Sequence, residues 1–260
     1  MRLENISLRL RPRATYEATD LGVRLVQRNA GPVYRAWFAI VVPLMLLLLP
    51  LQTIAPWLPA VLIWWLKPLY DRLVLFVLSR SVFGEPTSVA DVTAAWRIWC
   101  GSGIVGSLTW RRLEFTRAFS LPIYLLERLP GKPRRARAKV LQRNTRSVAV
   151  LTQVAYLHID AAINFSLIAL VFLLLPAHAN IPMWSWMIGQ EVPLAWTVMT
   201  GLVYIAALTL IEPLYVAAGF ALYLNRRIEL EAWDIEVSLR RAADAAASGR
   251  RQSLVEGSAA

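Results

Sequence analysis

Residues 36–66 read AWFAIVVPLMLLLLPLQTIAPWLPAVLIWWL, and this stretch contains no charged residue. It is longer than the ~20 apolar residues that one transmembrane helix needs. The polar and proline-containing sequence at Gln52–Pro56 interrupts it. We therefore predict a helical hairpin, with a first membrane span at about 36–54, a tight turn, and a second span from 57 to about 78.

The rest of the chain continues this alternation of apolar and charged segments. Hydrophobic residues make up 57% of the 260 residues, against ~45–50% in soluble domains. Two further spans are predicted, at about 150–176 and from between 193 and 200 to about 224. The predicted fold is thus an all-α membrane protein with four transmembrane helices plus cytoplasmic amphipathic interfacial helices. Cys100 is the only cysteine, which excludes an intrachain disulfide.

Lysine and arginine are unevenly distributed. Of the 28, seven lie in residues 1–35, thirteen in 79–146 and six in 225–260, whereas none lies in the predicted outer turns, 52–56 and 177–192. Because cytoplasmic segments carry the basic excess, both termini are predicted to be cytoplasmic. The chain then divides into an amphipathic cytoplasmic segment (1–35), spans 1 and 2 (36–78), basic interfacial helices (79–146), spans 3 and 4 (147–224), and a charged cytoplasmic helix with a disordered tail (225–260).

The middle segment predicts helices that lie in the membrane interface. Ser88-x-x-Asp91 is a capping-box pattern that starts a helix. Val89, Val92, Trp96 and Trp99 follow on one helical face, as in a helix that inserts its apolar side into the interface.

The stretch KPRRARAKVLQRNTR at 132–146 is rich in basic residues and contains no acid. Each cation near an anionic leaflet contributes ~1 kcal/mol to membrane binding. We therefore predict that anionic lipid is contacted by the basic side chains Arg134, Arg135, Arg137, Lys139, Arg143 and Arg146.

Two short strings, KPLY at Lys67–Tyr70 and EPLY at Glu212–Tyr215, place opposite charges beside a proline within apolar sequence. A charge at bilayer depth costs at least ~2.5 kcal/mol, so it usually has a partner. One interpretation is an ion pair between Lys67 and Glu212 on two helices. The alternative is that Lys67 pairs with Asp71 on its own helix, while Glu212 lies at the inner interface. Candidate supporting polar residues are Tyr70, Asp71, Arg72, Asp160 and Tyr215.

An acidic cluster follows the last predicted span. Two interpretations stay open, a solvated charged helix and a surface that docks onto the basic middle segment or onto a partner protein. On the second interpretation, the candidate docking residues are Glu231, Trp233, Asp234 and Glu236.

The sequence contains no catalytic, cofactor-binding or metal-binding motif, so we predict a protein without enzymatic activity or cofactor. Residues 101–106 match the GxGxxG string, but no strand is predicted before them and no acidic residue follows at the required distance. The basic residues flank apolar spans, which indicates anionic lipid rather than nucleic acid as the partner.

The C-terminal stretch EPLYVAAGFALYLNRRIELEAWDIEV contains an E-x-x-D-I-E box at Glu231, Asp234 and Glu236. It resembles the signature of bacterial inner-membrane proteins of the glycerophosphodiester phosphodiesterase membrane-domain type. The N-terminal EATDLGVRLVQRNAGPVYRAW is similar to the amphipathic segment of the same group. The resemblance implies a non-catalytic component of the bacterial inner membrane, encoded beside an AAA+ ATPase and other envelope proteins. Nothing in the chain resembles the phosphodiesterase domain itself.

These observations favour a non-catalytic inner-membrane scaffold or assembly subunit that presents cytoplasmic helices to partner proteins. The alternative is a small transporter or lipid-handling protein that uses the Lys67/Glu212 region. A cavity around these two residues that is open to one side would favour transport, whereas a packed bundle would favour the scaffold.

Overall fold

A computed structural model describes residues 13–101, 103–127, 129, 131–174 and 193–231. Every regular element among these residues is helical, and none of them forms a strand. The predicted all-α class is therefore confirmed.

The helices follow one another with short connections. The first half of the chain contains α1 (Thr15–Arg28), α2 (Ala30–Ala36), a π-helical turn (Trp37–Val41), α3 (Val42–Leu48), a 3₁₀ turn (Leu49–Thr53), α4 (Leu58–Trp65) and α5 (Lys67–Val82). The second half contains α6 (Val89–Ala94), α7 (Trp96–Gly101), α8 (Ile104–Leu108), a 3₁₀ turn (Trp110–Leu113), α9 (Arg117–Leu125), α10 (Gly131–Gln142), α11 (Arg146–Leu174) and α12 (Leu194–Glu231).

Three helices in the described part of the chain are long and apolar enough to cross a membrane: the continuous helix Ala30–Thr53, α11 and α12. Each contains a stretch with a mean hydropathy of 2.0. The apolar stretch of α11 is 0% buried within the protein. An apolar surface of this extent is typical of contact with lipid or with another protein. The three helices are thus compatible with a membrane-embedded protein.

The predicted second span, 57–78, differs from the other three. It is divided at Leu66 into α4 and α5, and α5 contains four charged residues. Pro68 lies in the first turn of α5, where the missing N–H of proline costs no helical hydrogen bond. Pro213, in contrast, lies inside α12. The two x-P-L-Y strings therefore have different structural roles: one begins a helix and the other lies within one.

Helix α12 forms the centre of the molecule. Its first half, up to Leu210, is buried mainly on one side, whereas nearly every residue from Ile211 to Asn225 is buried. A helix buried on all faces needs neighbours all around it. Helices α1, α5, α9 and α11 supply them.

Small residues allow two of these neighbours to approach α12 closely. A Cβ atom added to Gly22 of α1 would lie 2.4 Å from Cα of Ala218. A Cβ atom added to Gly219 would lie 2.3 Å from Cβ of Ala118 in α9. Close backbone approach through small residues is typical of helix packing in membranes. The sequence Ala218–Gly219 therefore fixes α12 between α1 and α9.

The middle segment is only partly as predicted. The capping box of Ser88 and Asp91 is confirmed. The helix that it starts ends at Ala94 instead of continuing. Beyond this break, the Trp99 indole of α7 donates to the Val92 carbonyl of α6 at 2.9 Å. Trp99 is consequently buried, and Trp96 is exposed. Helix α9 packs against α12 with buried residues on most of its surface, so it belongs to the core.

Candidate functional site

Five charged side chains from four helices meet beside the middle of α12. Lys67 and Asp71 come from α5, Arg117 from the start of α9, Asp160 from α11 and Glu212 from α12. Residues 67 and 71 lie one helical turn apart and so point to the same side of α5. We call this set the ionic cluster.

Lys67 is the link between α5, α11 and α12. Its Nζ lies 2.8 Å from Oε2 of Glu212 and 3.5 Å from Oδ2 of Asp160. The Glu212 side chain is only 2% exposed, so the pair is almost free of solvent screening. Of the two arrangements that the sequence left open, the structure has the contact between helices. Asp71, the alternative partner of Lys67, is bound by Arg117.

Arg117 joins two carboxylates, and sequence reasoning did not identify it. Its Nε lies 3.0 Å from Oδ2 of Asp71, and its Nη2 lies 3.5 Å from Oε1 of Glu212. Burial by itself would lower the pKa of Arg117, but the charges of Asp71 and Glu212 and the hydrogen bond to Asp71 outweigh this and raise that pKa above its ordinary value. Arg117 therefore stays charged at any physiological pH.

A third cation, Arg112, lies near the ionic cluster, where the charges of Asp71 and Glu212 act on it. The Arg112 guanidinium donates to the Trp64 carbonyl and lies 3.8 Å from the centre of the Trp64 ring, a cation–π contact. Burial and the nearby charge of Arg117 lower the pKa of Arg112, and the charges of Asp71 and Glu212 act against this.

The two tyrosines of the x-P-L-Y strings are both buried, but they differ in hydrogen bonding. The Tyr215 hydroxyl donates to Oε1 of Gln153 and accepts from the Ala118 N–H at 3.2 Å, which connects α12 to α11 and α9. Within the described residues, the Tyr70 hydroxyl has no hydrogen-bond partner. The Tyr70 ring packs edge-on against Trp37, with 6.2 Å between ring centres.

Arg72, another predicted supporting residue, holds the middle segment in place. It is completely buried and donates to the Trp99 carbonyl at 3.1 Å and to Oγ of Ser107 at 3.0 Å. Gly103 has φ of 72° and a Cβ atom there would lie 3.8 Å from Nη2 of Arg72. Gly103 therefore forms a left-handed turn beside this arginine, just before α8.

The ionic cluster encloses very little empty space. The cavity beside it has a volume of about 30 Å³, which is room for about one water molecule. No three His, Cys, Asp or Glu side chains are grouped as metal ligands in the part of the chain that the structure describes. The cavity is lined by Lys67, Arg117, Gln153, Tyr156, Leu157, Asp160, Ile211, Glu212 and Tyr215.

The end of α12 docks onto α10. Glu231 accepts hydrogen bonds from Arg137 and from Arg227, the latter with Nη2 to Oε2 at 2.6 Å. Arg137 also lies 3.1 Å from Oε2 of Glu127. Glu231 therefore binds the basic middle segment, as in one of the two interpretations of the acidic tail. The other candidate docking residues, Trp233, Asp234 and Glu236, lie outside the described residues.

The predicted lipid contacts separate into two groups. Arg137 is occupied by its ion pairs with Glu127 and Glu231. The remaining five line one cleft on the opposite side of α10: Arg134, Arg135, Lys139, Arg143 and Arg146.

Comparison of the chain with protein-family models, with curated proteins and with solved structures gives no match.

Proposed function

We propose that the protein is a non-catalytic inner-membrane scaffold or assembly subunit, which presents its cytoplasmic helices to partner proteins. The closed geometry of the ionic cluster carries this proposal. Lys67, Asp71, Arg117 and Glu212 bind one another directly, and the adjacent cavity of about 30 Å³ has no room for a substrate. A transport site needs a cavity that opens to one side of the membrane.

The proposed topology has four spans with both termini in the cytoplasm. Three spans are Ala30–Thr53, α11 and α12, and the kinked pair α4–α5 is the fourth. The charges of α5 do not forbid its insertion, because Lys67, Asp71 and Arg72 all have partners within the protein. Paired charges of this kind are tolerated inside a helical bundle. The bacterial origin and the resemblance of the C-terminal box stay predictions.

On this topology the ionic cluster lies in the cytoplasmic half of the bilayer. Measured from the outer ends of α11 and α12 at ~1.5 Å per residue, Asp160 and Glu212 lie about 21 and 27 Å deep. The hydrocarbon core is ~30 Å thick. The ionic cluster is thus close to the cytoplasmic helices α1 and α9, which pack on the same part of α12.

The ionic cluster serves assembly rather than stability in this proposal. Buried ion pairs often contribute little net stability, and their best-attested use is to specify one arrangement of helices. The ionic cluster joins α5, α9, α11 and α12 in one register. A scaffold needs such a fixed arrangement, because its partners must meet surfaces in constant positions.

Large apolar side chains outside the three long helices support a contact surface for partners. Exposed apolar groups near charged segments are typical of protein or membrane contacts. Within residues 79–146 the most exposed are Val105 at 67%, Leu113 at 76% and Phe115 at 66%. These residues lie in the cytoplasmic middle segment of the proposed topology.

Cysteine accessibility distinguishes the scaffold from a transporter. In a Cys100→Ser background, Gln153→Cys places a thiol beside the cavity, and Thr93→Cys places a control thiol on the exposed face of α6. A membrane-impermeant maleimide added to inside-out vesicles should label residue 93 and leave residue 153 unlabelled until the protein is denatured. Labelling of residue 153 from either side in native vesicles would favour the transporter.

A second experiment tests for partners directly. Crosslinking in native membranes should give a discrete adduct of defined stoichiometry that weakens when Leu113 and Phe115 are both replaced by Ser. Val140→Ser, on the exposed side of α10, is the control and should leave the adduct unchanged. If neither the unmodified protein nor the Val140→Ser variant gives an adduct, the scaffold role is contradicted.

A further inference from the structure

A large basic cleft lies on the side of α10 that faces away from α12. It has a volume of about 900 Å³, within the ~300–1,000 Å³ range of pockets that bind small molecules. Its walls come from the 3₁₀ turn Trp110–Leu113, α9, α10 and the start of α11. The cations among its lining residues are Arg111, Arg134, Arg135, Lys139, Arg143 and Arg146.

The charge of this cleft is not neutralised by the protein. Six of the lining residues are cations and one, Glu114, is an acid. Among the described residues none of the six cations has a carboxylate partner. Glu114 is already occupied, because it accepts hydrogen bonds from the hydroxyls of Ser120 at 2.6 Å and Thr116 at 3.1 Å. The protein therefore holds a concentrated positive charge in a concave site.

Tyr124 arranges two of the cations. The Arg111 guanidinium lies 4.3 Å from the centre of its ring, and the Arg134 guanidinium lies 5.1 Å from the same centre. The Tyr124 hydroxyl donates to Oε2 of Glu114 at 3.3 Å, which fixes the ring. Stacking on an aromatic ring orders a guanidinium without using its N–H donors. The two arginines thus keep donors for a ligand.

Two further observations support a ligand with negative charge. Nη1 of Arg111 is buried, and in the described part of the chain it has no hydrogen-bond acceptor. Burial and the nearby charge of Arg111 lower the pKa of Arg134, which is the response expected of cations held together without a counterion. An anion between the two arginines would relieve their repulsion.

Helix α10 itself provides the contrast. Arg137, on its other side, is neutralised by Glu127 and Glu231, whereas the cations of the cleft have no such partners. The same helix therefore separates a structural arginine from a group of cations available for binding.

We propose that this cleft binds an anion that carries phosphate groups. Arginine is suited to this chemistry, because its planar fork of donors matches phosphate oxygens bidentately. The anion is either the headgroup of a phospholipid, since Arg146 begins the long apolar helix α11, or a soluble phosphorylated compound. Both present the same phosphate oxygens to the cleft, and the proposal does not depend on the scaffold role.

Binding is tested on the full chain, and two arms, one in nanodiscs and one in detergent, distinguish the sources. In phosphatidylcholine nanodiscs, inorganic phosphate and inorganic pyrophosphate are titrated by calorimetry. In detergent, binding of a fluorescent phosphatidylglycerol is measured at low and high salt, with phosphatidylcholine as the neutral comparison. Saturable binding of pyrophosphate alone would identify the ligand as a soluble anion, and saturable binding of phosphatidylglycerol alone would identify it as a lipid headgroup. If the two probes compete with each other, the cleft binds the phosphate group of either compound.

Charge-matched variants show whether binding takes place in the cleft. Arg111→Gln and Arg143→Gln should each weaken binding about tenfold, because a hydrogen bond to a charged group contributes roughly that factor. Arg97→Gln removes the same charge from an exposed site outside the cleft and should leave the affinity within about twofold, the size of a screened long-range effect. Circular dichroism verifies that each variant keeps its helicity, and Arg143, which is exposed, serves if Arg111→Gln does not fold. Equal losses in cleft and control variants, or no saturable binding of any probe, would overturn the proposal.

Discussion

Lys67 Nζ lies 2.8 Å from Oε2 of Glu212, and these two residues begin the only two x-P-L-Y strings in the chain. The contact joins the first turn of α5 to the middle of α12. Neither residue is paired exclusively, because Lys67 also contacts Asp160 and Glu212 also contacts Arg117. The pair is therefore one part of a network, and its energetics must be tested as such.

Removing one member of the pair should be costly. Lys67→Met or Glu212→Gln leaves the other charge buried, which typically costs ~3–5 kcal/mol. We expect each single variant to lower the free energy of unfolding in detergent, measured by denaturant titration. Arg80→Gln is the control, because its partner Glu85 is 59% exposed and surface pairs contribute only ~0–1 kcal/mol.

The double variant Lys67→Met with Glu212→Gln should recover part of this loss. Recovery is incomplete, because Asp160 then lacks its cation while Arg117 keeps Asp71. The coupling free energy of the cycle measures the direct contact. Strictly additive losses would mean that Lys67 and Glu212 do not interact.

Arg117 should be replaceable by no other cation. Arg117→Lys keeps the charge but loses the planar fork with which Nε reaches Asp71 and Nη2 reaches Glu212. We expect a loss of ~1.5–3 kcal/mol in the free energy of unfolding, the value of a hydrogen bond to a charged group. Arg97→Lys, at an exposed position, is the matched control, and an equal effect of the two substitutions would exclude the bridging role.

The proposed topology predicts where reporter fusions are active. A reporter that is active only in the periplasm should be active when it is fused after residue 54 or 178. After residue 145 or 260, only a reporter that is active in the cytoplasm should give a signal. The physical reason is that the basic residues avoid the two predicted outer turns. A periplasmic reporter that is active after residue 260 would refute the four-span arrangement. That result would be expected of a chain with three spans, in which residues 57–78 do not cross the membrane.

The sequence predicted the helical class, because long runs without charge have few alternatives to a helix in a membrane. It did not predict the division of the second span at Leu66, since Pro68 is equally compatible with the start of a helix and with a kink. The charges of α5, like Asp160 of α11 and Glu212 of α12, depend on partners from elsewhere in the chain. The identity of these partners depends on how helices distant in sequence pack together.

For the ionic cluster, the sequence could indicate that the buried charges need partners, but not which residues all of these partners are. Lys67 and Glu212 were noticeable because they are charges in apolar surroundings. Arg117 was not noticeable, because it lies in a segment that already contains many arginines. Nor could the apolar string VAAGF show that Ala218 and Gly219 contact two different helices. Such contacts depend on how α1 and α9 pack against α12.

The close packing on both sides of α12 should be sensitive to a single methyl group. An alanine Cβ at Gly22 would lie 2.4 Å from Cα of Ala218, and one at Gly219 would lie 2.3 Å from Cβ of Ala118, so backbone must move in either case. Overpacking of this kind costs ~1–3 kcal/mol, and we expect Gly22→Ala and Gly219→Ala each to lower the melting temperature in detergent. Gly101→Ala meets no atom within 4 Å and should be neutral or stabilising, because alanine favours a helix over glycine by ~0.5–1 kcal/mol. If all three substitutions raise the melting temperature alike, α1 and α9 do not contact α12 at these glycines.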